Sequence, residues 1–395
     1  MSDNPLADIK NLCVFDTETR ALPGAGLSGN LKEAGTYRYA QNSLVIILTA
    51  AIGDGPVFEV SLDRGFDGDW LCWDEMPYEL REFHKRAEQR EAWYAAFNAG
   101  FDKAVWNAGT YDFPPIEHDM VIDIMAQATA SNLPPNLEGA SRTITGRGKQ
   151  DDGKELIRLF TPEDGGTPQS HPAEWARFKS YGLRDTDEAR AVWKATRPLP
   201  FEEWEDYWVS EKINERGVAL DLPFIERAAA LADVAADCLN EDLVRWTNGQ
   251  VEKVTQVARL ADWVYTRLGD GTATNIMCKR WEEDEDSEDG SLKVGKLSLD
   301  RGRIEALVAY LATRDNIPQE IINALTARQF GGSTSPFKFS KMLSGHVDGR
   351  LQGQYVFSGA NQTGRYSSKG VQTHNLTRSH LGDAEAEAIE FINDL

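Results

Sequence analysis

An apolar run that closes on two acids constrains this chain more than any other feature. Leu12–Phe15 reads as a buried strand, and Val14-Phe15-Asp16-Thr17-Glu18-Thr19 carries it to its end. Residues two apart on a strand share a face, so Asp16 and Glu18 project together. Two carboxylates side by side repel, which folding alone does not favour. A divalent cation between them removes the repulsion, and oxygen ligation suits magnesium or manganese. A D-x-E at a strand end is also a common solvated edge. Further ligands downstream decide between the two.

The chain has 395 residues, enough for two or three domains with their own cores. Its 63 acidic against 42 basic residues give a formal charge of -21, which on bulk charge alone disfavours nucleic acid. Part of the excess sits in one run from Glu282 to Asp289, expected to be a solvated loop. Cys13, Cys72, Cys238 and Cys278 lie far apart with no C-x-x-C pair. They predict neither a disulfide framework nor a zinc site, and they fit a reducing compartment. No basic-then-apolar leader and no bilayer-length apolar run is present, so a cytoplasmic protein is expected.

The first ~195 residues read as α/β. Strands are expected at Leu12–Phe15, Leu44–Ala51, Val57–Leu62 and Ala92–Phe97. Helical patterns cover Tyr78–Arg90, Asp102–Ala108, Met120–Ala130, Lys154–Phe160 and Trp175–Thr196. Arg197-Pro198-Leu199-Pro200 breaks the pattern and marks a domain boundary. Beyond it the chain reads as mostly helical. Trp204–Arg216 ends at Gly217, and Asp221 with Pro223 opens a helix that Asn248-Gly249 stops. Helices follow at Thr255–Leu268, Leu299–Thr313 and Gln319–Arg328, with a loop from Gly269 to Ser298. From Gly331 onward Gly, Ser and Thr dominate, with short strands near Leu351–Phe357.

Two later segments supply the missing acids. Phe97-Asn98-Ala99-Gly100-Phe101-Asp102 runs from an apolar stretch through a turn into a helix. Tyr181-Gly182-Leu183-Arg184-Asp185 lies within a helical pattern, with Tyr181 and Asp185 on one face. Each has a bland alternative, a helix cap and ordinary surface packing. Together they fit one mechanism, in which two cations clamp the attacking and leaving oxygens of a phosphodiester. Asp16 would bridge both ions, Glu18 and Asp185 would complete one site, and Asp102 the other. Tyr181 would orient the attacking water.

These residues resemble the DEDD exonuclease superfamily in its tyrosine branch, as found in the proofreading domain of family A DNA polymerases. The three motifs occur in order as FDTET, NAGFD and YGLRD, within residues 8–196. The resemblance implies a ribonuclease H-like domain with a mixed central sheet flanked by helices, over residues 1–198. It further implies 3′→5′ hydrolysis of DNA, with Thr19, Leu22 and Asn98 near the terminal nucleotide. A histidine-branch assignment would use His118 and Asp123. It is set aside because Asp123-Ile124-Met125 follows Asp102 too closely and resembles a segment that family A domains carry between their second and third motifs. His118 is then a surface residue.

Residues 204–221 resemble the segment that opens the thumb of family A polymerases, which implies a thumb-like helical region over 199–330. Asp348-Gly349-Arg350-Leu351 and Gly359-Ala360-Asn361-Gln362-Thr363-Gly364-Arg365 resemble a phage-type segment at the start of the palm, over 331–395. Gln372-Thr373-His374-Asn375-Leu376 resembles the family's Q-x-Q-N-ϕ strand, with His374 where glutamine is usual. Arg350, Arg365, His374 and Asn375 are therefore expected at primer–template DNA. Lys338, Lys341, Lys369 and Arg378 make the stretch locally basic, as phosphate contact requires. No palm aspartate motif or fingers lysine segment occurs before Leu395, so polymerisation by this chain alone is not expected. The leading expectation is a two-metal 3′→5′ DNA exonuclease within a phage-like polymerase. The alternative is a DNA-binding subunit that docks a separate palm–fingers chain.

Overall fold

The computed structural model of the chain describes residues 4–25, 35–68, 71–108, 111–146, 153–283, 292–332, 336–360, 363–376, 382 and 384–395. Two compact units emerge, Met1–Leu220 with Ser344–Leu376, and Asp221–Leu343 with Thr377–Leu395.

The first unit is built on a five-stranded sheet of β1 (Leu12–Ala21), β2 (Ser43–Ile52), β3 (Phe58–Ser61), β4 (Trp93–Ala96) and β5 (Val121–Asp123). The order is β3-β2-β1-β4-β5. Strands β1, β2 and β3 run antiparallel, whereas β4 and β5 join β1 in parallel. Central strands covered on both faces need apolar residues on both, and β1 supplies them. Cys13 and Phe15 join one core cluster, while Leu12 and Val14 join another. Strand β4 pairs with β1 only over Leu12–Val14, so beyond Val14 that edge of β1 is open. The two acids lie on this open stretch.

Eight helices accompany the sheet among the described residues: α1 (Thr36–Ala40), α2 (Tyr78–Glu88), α3 (Ala99–Trp106), α4 (Ile124–Ala130), α5 (Leu137–Thr145), α6 (Gly153–Phe160), α7 (Pro172–Ala195) and α8 (Phe201–Arg216). The expected helix over Met120–Ala130 begins instead as strand β5. Asp123 then caps α4, accepting from the Met125 N–H.

Helix α8 lies past the Pro-rich break yet packs into the first unit. Trp204, Tyr207 and Trp208 are buried with Leu6, Ile122 and Val192. Trp208 Nε1 donates to the Val121 carbonyl at 2.7 Å. Gly217 ends α8 at φ +69°, where a Cβ would stand 2.7 Å from the Leu351 carbonyl oxygen, so only glycine fits. Val218–Ala219 then pairs antiparallel with Arg350–Leu351. A hairpin of Tyr355–Ala360 and Arg365–Ser368 follows in the same unit.

The second unit is helical, with α9 (Leu222–Thr247), α10 (Val257–Leu268), α11 (Gly271–Met277), α12 (Arg301–Leu311) and α13 (Gln319–Gly331). Its core gathers Leu243, Leu260, Val264, Leu307, Ile321 and Leu325. The start and stop signals act as the sequence predicts. Asp221 accepts from the Phe224 N–H, and Asn248 takes the left-handed conformation that ends α9. The expected loop Gly269–Ser298 contains α11 and a hairpin of Cys278–Glu283 with Leu292–Leu297. Most of the acidic run lies outside the described residues. All four cysteines are free thiols. Among the described residues no helix is long and apolar enough to cross a membrane.

Candidate carboxylate site

The site begins with the register of β1 against β2. Asp16 lies opposite Thr49 and Glu18 opposite Ile47, and the pairing slips by one residue directly after Glu18. Such a bulge re-aims the side chains beside it. Thr49 Oγ1 donates to the Gly182 carbonyl at 3.1 Å and lies 2.7 Å from Thr186 Oγ1. Gly182 and Thr186 are one turn apart on α7, so small residues face the sheet there. A Cβ at Gly182 would stand 3.3 Å from Thr49 Cγ2 and 3.9 Å from Glu18 Cγ. The helix therefore lies close upon the strands, and Tyr181 and Asp185 come with it.

Tyr181 is buried, and its side chain is hydrogen-bonded to that of Asp185. Burial pushes the Tyr181 phenol well above its ordinary value, and the Asp185, Glu18 and Asp16 carboxylates push the same way. The Arg184 guanidinium lies 5.9 Å from the ring centroid. The phenol thus stays protonated at any working pH.

Asp102 arrives on α3 at the open edge of β1. The Thr17 N–H and Thr17 Oγ1 both donate to Asp102 Oδ1, at 3.1 and 2.7 Å. Thr17 sits between Asp16 and Glu18, so the D-x-E strand itself fixes the third acid. Asp102 is 3% exposed, and burial pushes its carboxyl up to about 7 against the pull of the Thr17 bonds.

Asp123 is a further buried acid whose charge acts on Asp102. Its carboxylate accepts from the Asn98 and Met125 N–H groups. Burial pushes it up to about 7, with Glu211 adding to the rise. A folded value above the unfolded one contributes stability in acid that is lost as pH rises through about 7. Asp123→Asn should therefore gain on the wild type by several degrees in melting temperature between about pH 5 and about pH 8. A constant difference across that range would mean that Asp123 titrates normally.

The remaining sequence-chosen residues are distributed as follows. Thr19 is buried, with its hydroxyl 3.0 Å from that of Tyr39. Leu22 packs partly buried against the core. Asn98 is exposed at φ +72°, a conformation asparagine tolerates better than most residues. His118 is not a free surface group, since its Nε2 lies 3.1 Å from Glu215 Oε2. Arg350 is half-buried and donates to the carbonyls of Arg216 and Gly217. Arg365, His374 and Asn375 are exposed. His374 and Asn375 lie in a 3-10 turn over Thr373–Asn375, where the sequence suggests a strand. Asn361, Gln362 and Arg378 lie outside the described residues.

Sequence reasoning passed over Thr17, Thr49, Gly182 and Thr186, which bring the segments together. One signal was available, a glycine and a threonine four apart beside Tyr181 and Asp185. Small residues at that spacing mark a close helix contact. As placed, no three Asp, Glu, His or Cys side chains among the described residues form a group that could hold a metal ion.

No known family profile matches the chain. It is 25% identical over 382 residues to the DNA polymerase of Bacillus phage SP02, across 91% of this chain and 51% of that protein. The chain thus spans about half the length of that relative. Among solved structures it resembles the POL domain of Pol1 from M. smegmatis, determined in complex with DNA primer-template and dNTP. The TM-score is 0.53 at 11% identity, covering 97% of this chain and 56% of that one. At that identity the likeness is one of fold. The sequence relationship is one of homology to a phage DNA polymerase.

Proposed function

We propose that this chain, a homologue of a phage DNA polymerase, carries a two-metal 3′→5′ DNA exonuclease joined to the thumb-like and early palm-like part of a family A polymerase. One observation carries the reading. Three segments far apart in sequence meet at the open end of β1, where Asp102 bonds Thr17 and α7 rests on Thr49 and Glu18. The strand order supports a ribonuclease H-like assignment for residues 1–198. We assign 199–330 to the thumb and 331–395 to the start of the palm, and place the protein in the cytoplasm.

The donor set fits a hard divalent cation. Asp16, Glu18, Asp102 and Asp185 offer only carboxylate oxygens, and Glu18 and Asp102 are buried, where an unneutralised charge is costly. These four would hold two magnesium or manganese ions. When bound, such ions supply Lewis-acid stabilisation of charge on the phosphate and acidify a water. The Tyr181 O–H donates a hydrogen bond to Asp185, which leaves its oxygen to accept from the attacking water and aim it. Thr17 holds Asp102 in place. Thr19, Leu22 and Asn98 flank the terminal nucleotide, and exposed Arg365, His374 and Asn375 meet duplex DNA. Arg350 would join them through the part of its guanidinium that is not bonded to the Arg216 and Gly217 carbonyls.

Tyr181→Phe keeps the buried ring and removes the oxygen. Degradation of a labelled DNA primer in magnesium should fall by roughly 10²-fold at unchanged KM. An unchanged rate would remove the phenol from the mechanism. A second reading is favoured by the lack of a converged three-ligand group among the described residues. In it the chain holds primer–template and docks a separate palm–fingers chain, with little cleavage. Tight DNA binding without magnesium-dependent shortening would select it.

A further inference from the structure

Helix α8 lies beyond the Pro-rich break, yet its last turn reaches back to the helix that carries Asp102. Glu215 Oε2 lies 2.6 Å from Lys103 Nζ and 3.1 Å from His118 Nε2. Lys103 directly follows Asp102, and its side chain is only 6% exposed. A buried ammonium needs an anion beside it, and Glu215 provides one. The bond to His118, and the charge of Lys103 after it, hold the Glu215 carboxyl down to about 2.

The end of α8 is itself a fixed post. Asn214 bonds the Tyr355 backbone through both its amide nitrogen and its oxygen, each at 2.9 Å. The Arg350 guanidinium bonds the Arg216 and Gly217 carbonyls, and Gln352 bonds the Glu215 carbonyl. Gly100, two residues before Asp102, allows Glu211 to approach, since a Cβ there would lie 2.8 Å from Glu211 Oε2.

We infer that Glu215 is a positioning residue for Asp102, acting through Lys103 to hold α3 at the depth where Thr17 can bond it. This inference rests on the nuclease reading for its catalytic consequence, though not for its geometry. Without the Glu215 charge, Lys103 must move toward water, and the neighbouring Asp102 moves with it. The same residues place the 350–355 segment in mechanical continuity with the acid. A helix outside the nuclease motifs thus becomes part of the nuclease site.

The test compares Glu215→Gln, Lys103→Met and the double variant. In magnesium at saturating primer, Glu215→Gln should lower the degradation rate by roughly ten- to a hundred-fold with KM unchanged. Lys103→Met should match it, and the double variant should be no slower than either single one, because both act through one contact. The second readout needs neither metal nor activity. The Thr17 N–H is bonded to Asp102, so amide hydrogen exchange in the segment containing Thr17 should quicken in Glu215→Gln. Wild-type rate with wild-type exchange, or additive losses in the double variant, would overturn the inference. If the wild type cleaves nothing, the nuclease reading fails, and the exchange result alone decides the brace.

Discussion

Asp16→Ala is expected to lower degradation of a DNA primer from its 3′ end by on the order of 10³-fold, with the fold intact. Asp16 lies on β1 opposite Thr49, one residue from Thr17 and two from Glu18. It also lies in the electrostatic field that keeps the Tyr181 phenol protonated. Removing it would take away one of the four carboxylates proposed to hold the ions, whose charge stabilisation would be worth several kcal/mol. Stability should hold or rise, because one member of a repelling acidic group is gone. The variant should therefore melt at or above the wild-type temperature while losing activity. A variant that still shortens primers at the wild-type rate would end the nuclease assignment. One that unfolds would mean that Asp16 has a structural role.

Gly182→Val carries the second large effect, through packing alone. The hydrogen of Gly182 leaves room for Thr49 and Glu18, and even a Cβ would stand 3.3 Å from Thr49 Cγ2. Valine adds two further methyls into a buried contact, which should destabilise the protein by about 1–3 kcal/mol. It also lifts the segment of α7 that carries Tyr181 and Asp185 from β1. A displacement of about 1 Å there is enough for a loss of roughly 10²-fold in rate. The DNA-binding affinity of the intact protein should change far less, since no sequence-chosen duplex contact touches Gly182. Full activity in Gly182→Val would mean that the spacing of α7 from the sheet does not matter to the chemistry.

Much of the site could be read before the fold was known. The D-x-E pair, Asp102 at a helix start and the Tyr181–Asp185 turn all carry short-range periodicity, which sequence displays directly. Helix limits marked by Gly217, Asp221 and Asn248 were legible for the same reason, because caps act locally. What escaped is what depends on distant partners. Val121–Asp123 is too short for its alternation to differ from that of a helix. The Cys278–Leu297 hairpin was hidden by the acidic run that interrupts it. The charge of Arg350 is visible in the sequence, but its carbonyl partners at Arg216 and Gly217 are not. Helix α8 belongs with the first unit because three buried aromatic residues seat it there. No local signal says against which core an amphipathic helix will pack.

The central claim is that acids from three segments form one site that cuts DNA at its 3′ end. The most direct test is a single-stranded primer labelled on its 3′-terminal nucleotide, incubated with the full chain in magnesium and again with chelator. The account predicts that labelled nucleoside monophosphate is the first product in magnesium and that none forms with chelator. Label released as longer fragments, or at equal rates with and without the metal, would contradict it.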